Sequence, residues 1–349
     1  MKKWTSLTLV MILALVLVLS GCGKNNAGNE ANGGTKAGNN AGTETPKSDL
    51  KVGLVTDSGG VNDKSFNQSA WEGLQKVADA KGIETKVLES KADPDYEPNL
   101  NKFVKGGYDL TWGIGFLMGD AIKKVAAENP NAKLAIIDNT VEAPNVASVT
   151  FAENEGAYLV GVVAGLMTKT NKIGFVGGIK IPVIKRFEVG FLEGVKAVNP
   201  KAEVTINYVG DFGKPDAGKA AAATMYNDGA DIIFHAAGAT GNGVFNEAKD
   251  RSASGKKVWV IGVDKDQSLE FGEEITLTSM MKRVDQAVET ITNQMADGQF
   301  PAGKNVTLGL KDNGVGLPET NKNVPDDVLK KVEEYKQKII SGEITVPAE

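Results

Sequence analysis

Hydrophobic positions divide the chain into three stretches of different rhythm. Residues 7–19 form an almost unbroken apolar run of 13 residues behind the basic start Lys2-Lys3. Residues 23–48 contain Gly, Asn, Ala, Thr, Lys and Glu but no large apolar side chain. From Leu50 onward, short runs of Val, Ile and Leu alternate with segments whose apolar residues recur every three or four positions. Those two periods predict buried strands followed by amphipathic helices.

In the third stretch, residues 51–56 read as a strand. Residues 65–81 read as a helix with Phe66, Ala70, Leu74, Val77 and Ala78 on its apolar face. Strands at 85–88, 110–114, 133–137 and 146–149 follow, with helices at 98–106 and 120–128 among them. The rhythm then restarts. Helices are expected at 155–169, 181–198, 217–227 and 242–252, and strands at 172–176, 204–208, 231–235 and 258–263. The repeated βαβ order predicts an α/β fold of two doubly wound, parallel-sheet lobes. Beyond Asp264 come a short strand at 277–280, a helix at 284–297, a strand near 306–308 and a last helix at 325–341. The economical reading is a chain that crosses back to the first lobe and then returns. The lobes would be 49–152 plus 279–300 and 153–278 plus 301–345, joined by a hinge of several strands.

Composition narrows the function. Charged residues are 24% of the chain, with both signs interspersed and a net charge of −5, so no basic face for nucleic acid is expected. Cys22 is the only cysteine, which excludes an intrachain disulfide. The single histidine, His235, excludes a multi-histidine metal site and leaves the commonest acid–base side chain nearly absent. No G-x-S-x-G elbow, G-x-G-x-x-G or P-loop spacing occurs, so no catalytic residue, metal or cofactor is called for.

Cys22 closes Leu19-Ser20-Gly21-Cys22, directly after the apolar run. A run of 13 residues suits a signal-peptide core and is short for a membrane span. The four residues resemble the bacterial lipobox, in which cleavage precedes a cysteine that is then acylated. Residues 1–21 are thus expected to be a lipoprotein signal peptide, with Cys22 the lipidation site on the extracytoplasmic face of the cell membrane. A plain secretory peptide or an uncleaved anchor is the alternative. Residues 22–48 cannot bury enough surface to offset chain entropy and are expected to be a disordered tether. As a flexible coil, the 26 residues 23–48 span about 28 Å.

Ligands of open parallel sheets bind beyond the carboxyl ends of the strands, so residues just after each strand are the candidates. Asp57-Ser58-Gly59-Gly60 precedes Asp63 and Ser65, either of which suits a helix cap, and then Phe66-Asn67. A ring followed by an amide can stack on a flat ligand and bond its edge, although Phe66 also suits the first core position of a helix. Other strand ends carry Asp138-Asn139, Glu153-Asn154, Asp211-Phe212, Gly238 and Asp264. Carboxylates there suit vicinal hydroxyls, and they also suit turns and caps. Lys282-Arg283 either reaches the cleft or flanks a hinge in solvent. His235 ends an apolar strand and reads as packed rather than catalytic.

Residues 55–60 and the run Asn62-Asp63-Lys64-Ser65-Phe66-Asn67-Gln68-Ser69-Ala70-Trp71-Glu72-Gly73 closely resemble the opening of the basic membrane protein family. These are lipoproteins that include purine nucleoside receptors serving ABC transporters. Phe151-Ala152-Glu153-Asn154-Glu155-Gly156 is similar to a second family signature, and coverage extends over about 50–340. The resemblance implies a type I periplasmic binding protein fold whose cleft holds a nucleoside, and no enzyme. Phe66 and Phe212 would stack on the base, and Asn67 and Asp138 would read its edge. Asp264 and Lys282 would hold ribose, helped by Asp57 and Gly238. The implied partners are a nucleoside, ABC permease subunits and the membrane, with a monomer as the expected state. A sugar or signalling-molecule receptor of the same fold, or a surface interaction protein, are the alternatives.

Overall fold

A computed structural model describes residues 48–349; the expected signal peptide, Cys22 and all but the last residue of the expected tether lie outside the described residues. In chain order the first half contains β1 (Lys51–Thr56), α1 (Phe66–Lys81), β2 (Glu84–Glu89), α2 (Tyr96–Lys105), β3 (Leu110–Ile114), α3 (Gly119–Glu128), β4 (Leu134–Ile137) and β5 (Val146–Phe151). Then come α4 (Glu153–Met167), β6 (Lys172–Gly177), α5 (Pro182–Val198), β7 (Glu203–Tyr208), α6 (Pro215–Asn227), β8 (Ile232–Ala236), α7 (Gly241–Ala253) and β9 (Trp259–Asp264). The remainder comprises α8 (Ser268–Phe271), β10 (Thr276–Lys282), α9 (Val284–Ala296), β11 (Asn305–Leu308), β12 (Val315–Gly316) and α10 (Asp326–Ile340).

Two six-stranded sheets result, ordered β11-β5-β4-β3-β1-β2 and β12-β10-β9-β8-β6-β7. Every pairing in the first sheet is parallel, as is every pairing in the second except that of β12 with β10. Central strands such as β3 and β8 are buried along their whole length, as parallel strands covered by helices on both faces require. Helices are amphipathic where one face is covered, whereas α4 is buried on nearly every side and carries apolar residues all round.

The chain passes between the sheets three times, at 151–153, 282–284 and 308–315, so the expected two-lobed α/β architecture is present. The sheet membership of two strands differs from expectation. Residues 279–282 stay in the second sheet, because β10 pairs with β9 through Met281. Residues 305–308 lie in the first sheet, because β11 pairs with β5 rather than continuing the second lobe. What returns the chain to the first lobe is α9. Its Thr292 Oγ1 accepts a hydrogen bond from Trp112 Nε1 (3.2 Å), tying the helix to the buried centre of β3.

Candidate functional site

The carboxyl ends of the two sheets face each other across a cleft that encloses a cavity of about 50 Å³. All eight residues singled out from the sequence, Asp57, Phe66, Asn67, Asp138, Phe212, Gly238, Asp264 and Lys282, line this cleft. Several lining residues escaped sequence reasoning as site residues, among them Leu117, Ile181, Ile184 and Phe187. The signal that could have found the last three is Ile181-Pro182-Val183-Ile184, an apolar helix start placed directly after the end of β6.

On the first lobe, β1 delivers Asp57 and the following loop delivers Asp63. Asp63 accepts backbone N–H groups of Ser65 (2.9 Å), Asn67 (2.9 Å) and Gln68 (3.1 Å), covering the free donors at the start of α1. Asn67 Nδ2 donates to Asp57 Oδ1 (2.7 Å) and Asp63 Oδ2 (3.0 Å), so its amide holds both carboxylates in place. Because Asp63 does the capping, Ser65 is released from that task. Its hydroxyl donates instead across the cleft to Asp264, at the end of β9.

Phe66 opens α1 with its ring almost wholly buried. Phe212, on the loop after β7, rests on the backbone of Gly178, where any Cβ would overlap its ring. The Phe212 carbonyl accepts the Thr240 N–H (2.8 Å), which holds the loop beside Gly238. Asp138 and Asp264 both adopt left-handed backbone conformations, with φ of 73° and 65°. Non-glycine residues held this way concentrate at functional sites.

Lys282, at the end of β10, is 1% exposed. Its ammonium lies 2.6 Å from the Asp138 carboxylate and 3.0 Å from that of Glu153, the first residue of α4. Arg186 reaches the other side of Glu153 (2.6 Å). The rings of Phe66, Phe151 and Phe187 surround the ammonium at 5.0, 5.1 and 5.7 Å. Lys282 therefore joins the two lobes and the hinge at one point.

Burial dominates the electrostatics. It pushes Asp57 up to about 7 against the hydrogen bonds from Asn67 and Gly59. It likewise raises Asp264 to about 7 despite Lys282 and Ser65, and Asp138 to about 6 despite Lys282. Burial opposes the Lys282 charge, but Asp138, Glu153 and Asp264 outweigh it and hold the lysine above its ordinary value. Five buried carboxylates, Asp57, Asp63, Asp138, Glu153 and Asp264, thus face two cations, Lys282 and Arg186. Such a cleft suits an uncharged ligand rich in N–H and O–H donors and repels anions. His235 lies outside the cavity lining, fully buried, with burial lowering it to about 4.

Residues 50–349 match the family described as ABC transporter substrate-binding protein, PnrA-like. The chain is 48% identical to a CD4+ T-cell-stimulating antigen of Listeria innocua, over 99% of both chains. It is 42% identical to an ABC transporter nucleoside-binding protein of Lactococcus lactis subsp. cremoris, over the whole of both chains. Among solved structures, an ABC transporter solute-binding protein of Aeropyrum pernix superposes with a TM-score of 0.79 at 32% identity. That match covers 86% of this chain and 94% of the other.

Proposed function

The chain belongs to the Bmp family of PnrA-like ABC transporter substrate-binding proteins, and from that premise we propose that it is a lipid-anchored receptor capturing purine nucleosides for an ABC permease. The Lactococcus relative is a nucleoside-binding protein of an ABC transporter. The observation that carries the reading to this chain is the convergence of Phe66, Phe212, Asp57, Asp138, Asp264 and Lys282 on one interlobe cleft. Two rings suit the faces of a base. Buried carboxylates suit the donors of its edge and of a ribose, and their negative surplus favours a nucleoside over a nucleotide.

The mechanism is binding without a chemical step. A ligand that touches both lobes stabilises the closed arrangement by its differential affinity for that arrangement, and the permease reads the closed shape. Leu19-Ser20-Gly21-Cys22 and the polar stretch after it support acylation at Cys22 and a tether on the extracytoplasmic face. No helix among the described residues is long and apolar enough to cross a membrane.

Isothermal titration with adenosine, guanosine, inosine, cytidine, adenosine monophosphate and ribose tests the ligand. Purine nucleosides bind, and the monophosphate binds far more weakly. Absence of heat and of thermal shift with every nucleoside would sink the reading, and binding of ribose alone would favour a sugar receptor. Phe66→Ala and Asp264→Ala each weaken purine binding by about tenfold or more while the fold persists.

A further inference from the structure

Lys64 stands in the loop between Asp63 and the start of α1, with a left-handed φ of 58°. It lines no part of the cleft, yet it makes three contacts with the opposite lobe. Its carbonyl accepts a hydrogen bond from Gln267 Nε2 (2.9 Å). Its ammonium lies 4.9 Å from the centroid of the Phe271 ring and 3.9 Å from Glu270 Oε2. The receiving side is rigid. Phe271 stacks on Phe245 at 4.1 Å and 5°, and His235 meets Phe245 edge-on at 5.5 Å.

Gln267 is fully buried and its orientation is forced. Its Oε1 accepts the Val263 N–H (2.9 Å) and pairs with His235 Nε2 (2.9 Å). An amide oxygen only accepts, so His235 carries its proton on Nε2. Burial keeps the ring neutral around physiological pH, so that donor persists. With Oε1 occupied twice, the amide NH2 is aimed over the lobe boundary at the Lys64 carbonyl.

We propose that Lys64 is the bolt, and Gln267 with Phe271 the keeper, of a closure latch that sets how long the ligand-loaded cleft stays shut. His235 acts through Gln267 as a positioning residue. The proposal rests on the reading of this cleft as a ligand site, and it adds residues that touch no ligand. A lysine in the left-handed region is disfavoured relative to glycine, so contacts across the lobe boundary must offset that conformation.

Lys64→Gly separates the two effects, because it relieves the backbone while deleting the side chain from the keeper. Stopped-flow binding of adenosine and guanosine is compared for wild type, Lys64→Gly, Lys64→Arg and Gln267→Met. Lys64→Gly keeps or gains thermal stability, and its dissociation rate rises by about tenfold with association little changed. Gln267→Met shifts the same way, while Lys64→Arg, which retains the cation over Phe271, stays near wild type. An unchanged dissociation rate in a folded Lys64→Gly protein overturns the latch. If the wild type binds no nucleoside, the ligand reading fails and small-angle scattering of ligand-free protein decides the latch separately. A larger radius of gyration in Lys64→Gly supports it, and an identical radius refutes it.

Discussion

Replacing Lys282 by methionine tests whether the lobes are joined by a charge rather than by shape. Lys282 is the cation that meets Asp138 (2.6 Å), whereas Glu153 also has Arg186 (2.6 Å). Methionine fills much of the volume and keeps contact with Phe66, Phe151 and Phe187, so the cavity cost is small. What remains is a buried Asp138 without its counter-ion. Breaking a buried pair by removing one partner costs about 3–5 kcal/mol. About 300 described residues at ~2.1 cal/mol/K each give an unfolding entropy near 0.6 kcal/mol/K, so the melting temperature falls by about 5–8 °C.

The deficit depends on pH with a definite sign. Burial already raises Asp138 to about 6 in the presence of Lys282, and removing the cation raises it further. Near pH 5 the carboxyl is protonated in both folded proteins and the deficit is smallest. It grows as pH rises through 6, where the wild type gains its ion pair and the variant must either hold the proton or bury a bare charge. Asp138→Asn added to Lys282→Met removes that charge and recovers most of the lost stability, though not ligand affinity. Differential scanning calorimetry at pH 5, 6, 7 and 8 on the three proteins measures this. A loss that is the same at every pH, or a double variant no more stable than Lys282→Met, would refute the electrostatic account.

The other expectations are narrower. Asp57 and Asp264 are held at about 7, above the unfolded carboxyl value near 3.9, so the folded protein binds more protons than the unfolded chain between those limits. Stability of the ligand-free protein therefore falls as pH rises from about 4 to about 7. Asp57→Asn and Asp264→Asn each flatten that slope in urea titrations, and an unchanged slope in both would contradict it. At Gly194 a Cβ would collide with the backbone of Tyr158, where α5 crosses α4. Gly194→Ala accordingly lowers stability by about 1–3 kcal/mol in thermal melts, and a neutral effect would mean the helices part without cost.

Much of this architecture can be read from local pattern, because period and capping are local properties. The helix α1 begins at Phe66, as Asp63 and the spacing of Ala70, Leu74 and Val77 imply. Strands β3 and β8 announce themselves as short, continuous apolar runs between turns. Sheet membership is different, since it is decided by pairing across the chain. A four-residue strand such as β11, largely exposed at an edge, carries no mark of which sheet it joins. Two-residue β12 has no period at all. The same divide runs through the site. Asp57, Phe66 and Asp264 are recognisable by their position after strands, whereas the pairing of Lys282 with Glu153 and of Gln267 with Lys64 depends on distant partners. Ser65 shows the limit well. A serine before a helix reads as a cap, but Asp63 takes that role and frees its hydroxyl for Asp264.

The cleft's charge and its latch bear on closure in opposite directions. Bringing the lobes together removes Asp57, Asp138 and Asp264 from water, and their raised pKa values record that cost. Three non-glycine residues around the cleft, Lys64, Asp138 and Asp264, also hold left-handed conformations. Against these stand Lys282 and boundary contacts that include those of Ser65, Lys64 and Gln267, the Lys265–Glu72 pair (2.7 Å) and the Gln68–Glu270 hydrogen bond (3.3 Å). An uncharged donor-rich ligand shifts the balance by satisfying the carboxylates, whereas an anion adds to the surplus. Electrostatic selection and closure are then one property, because the groups that choose the ligand are the ones that resist burial without it. A ligand lacking donors leaves that resistance in place.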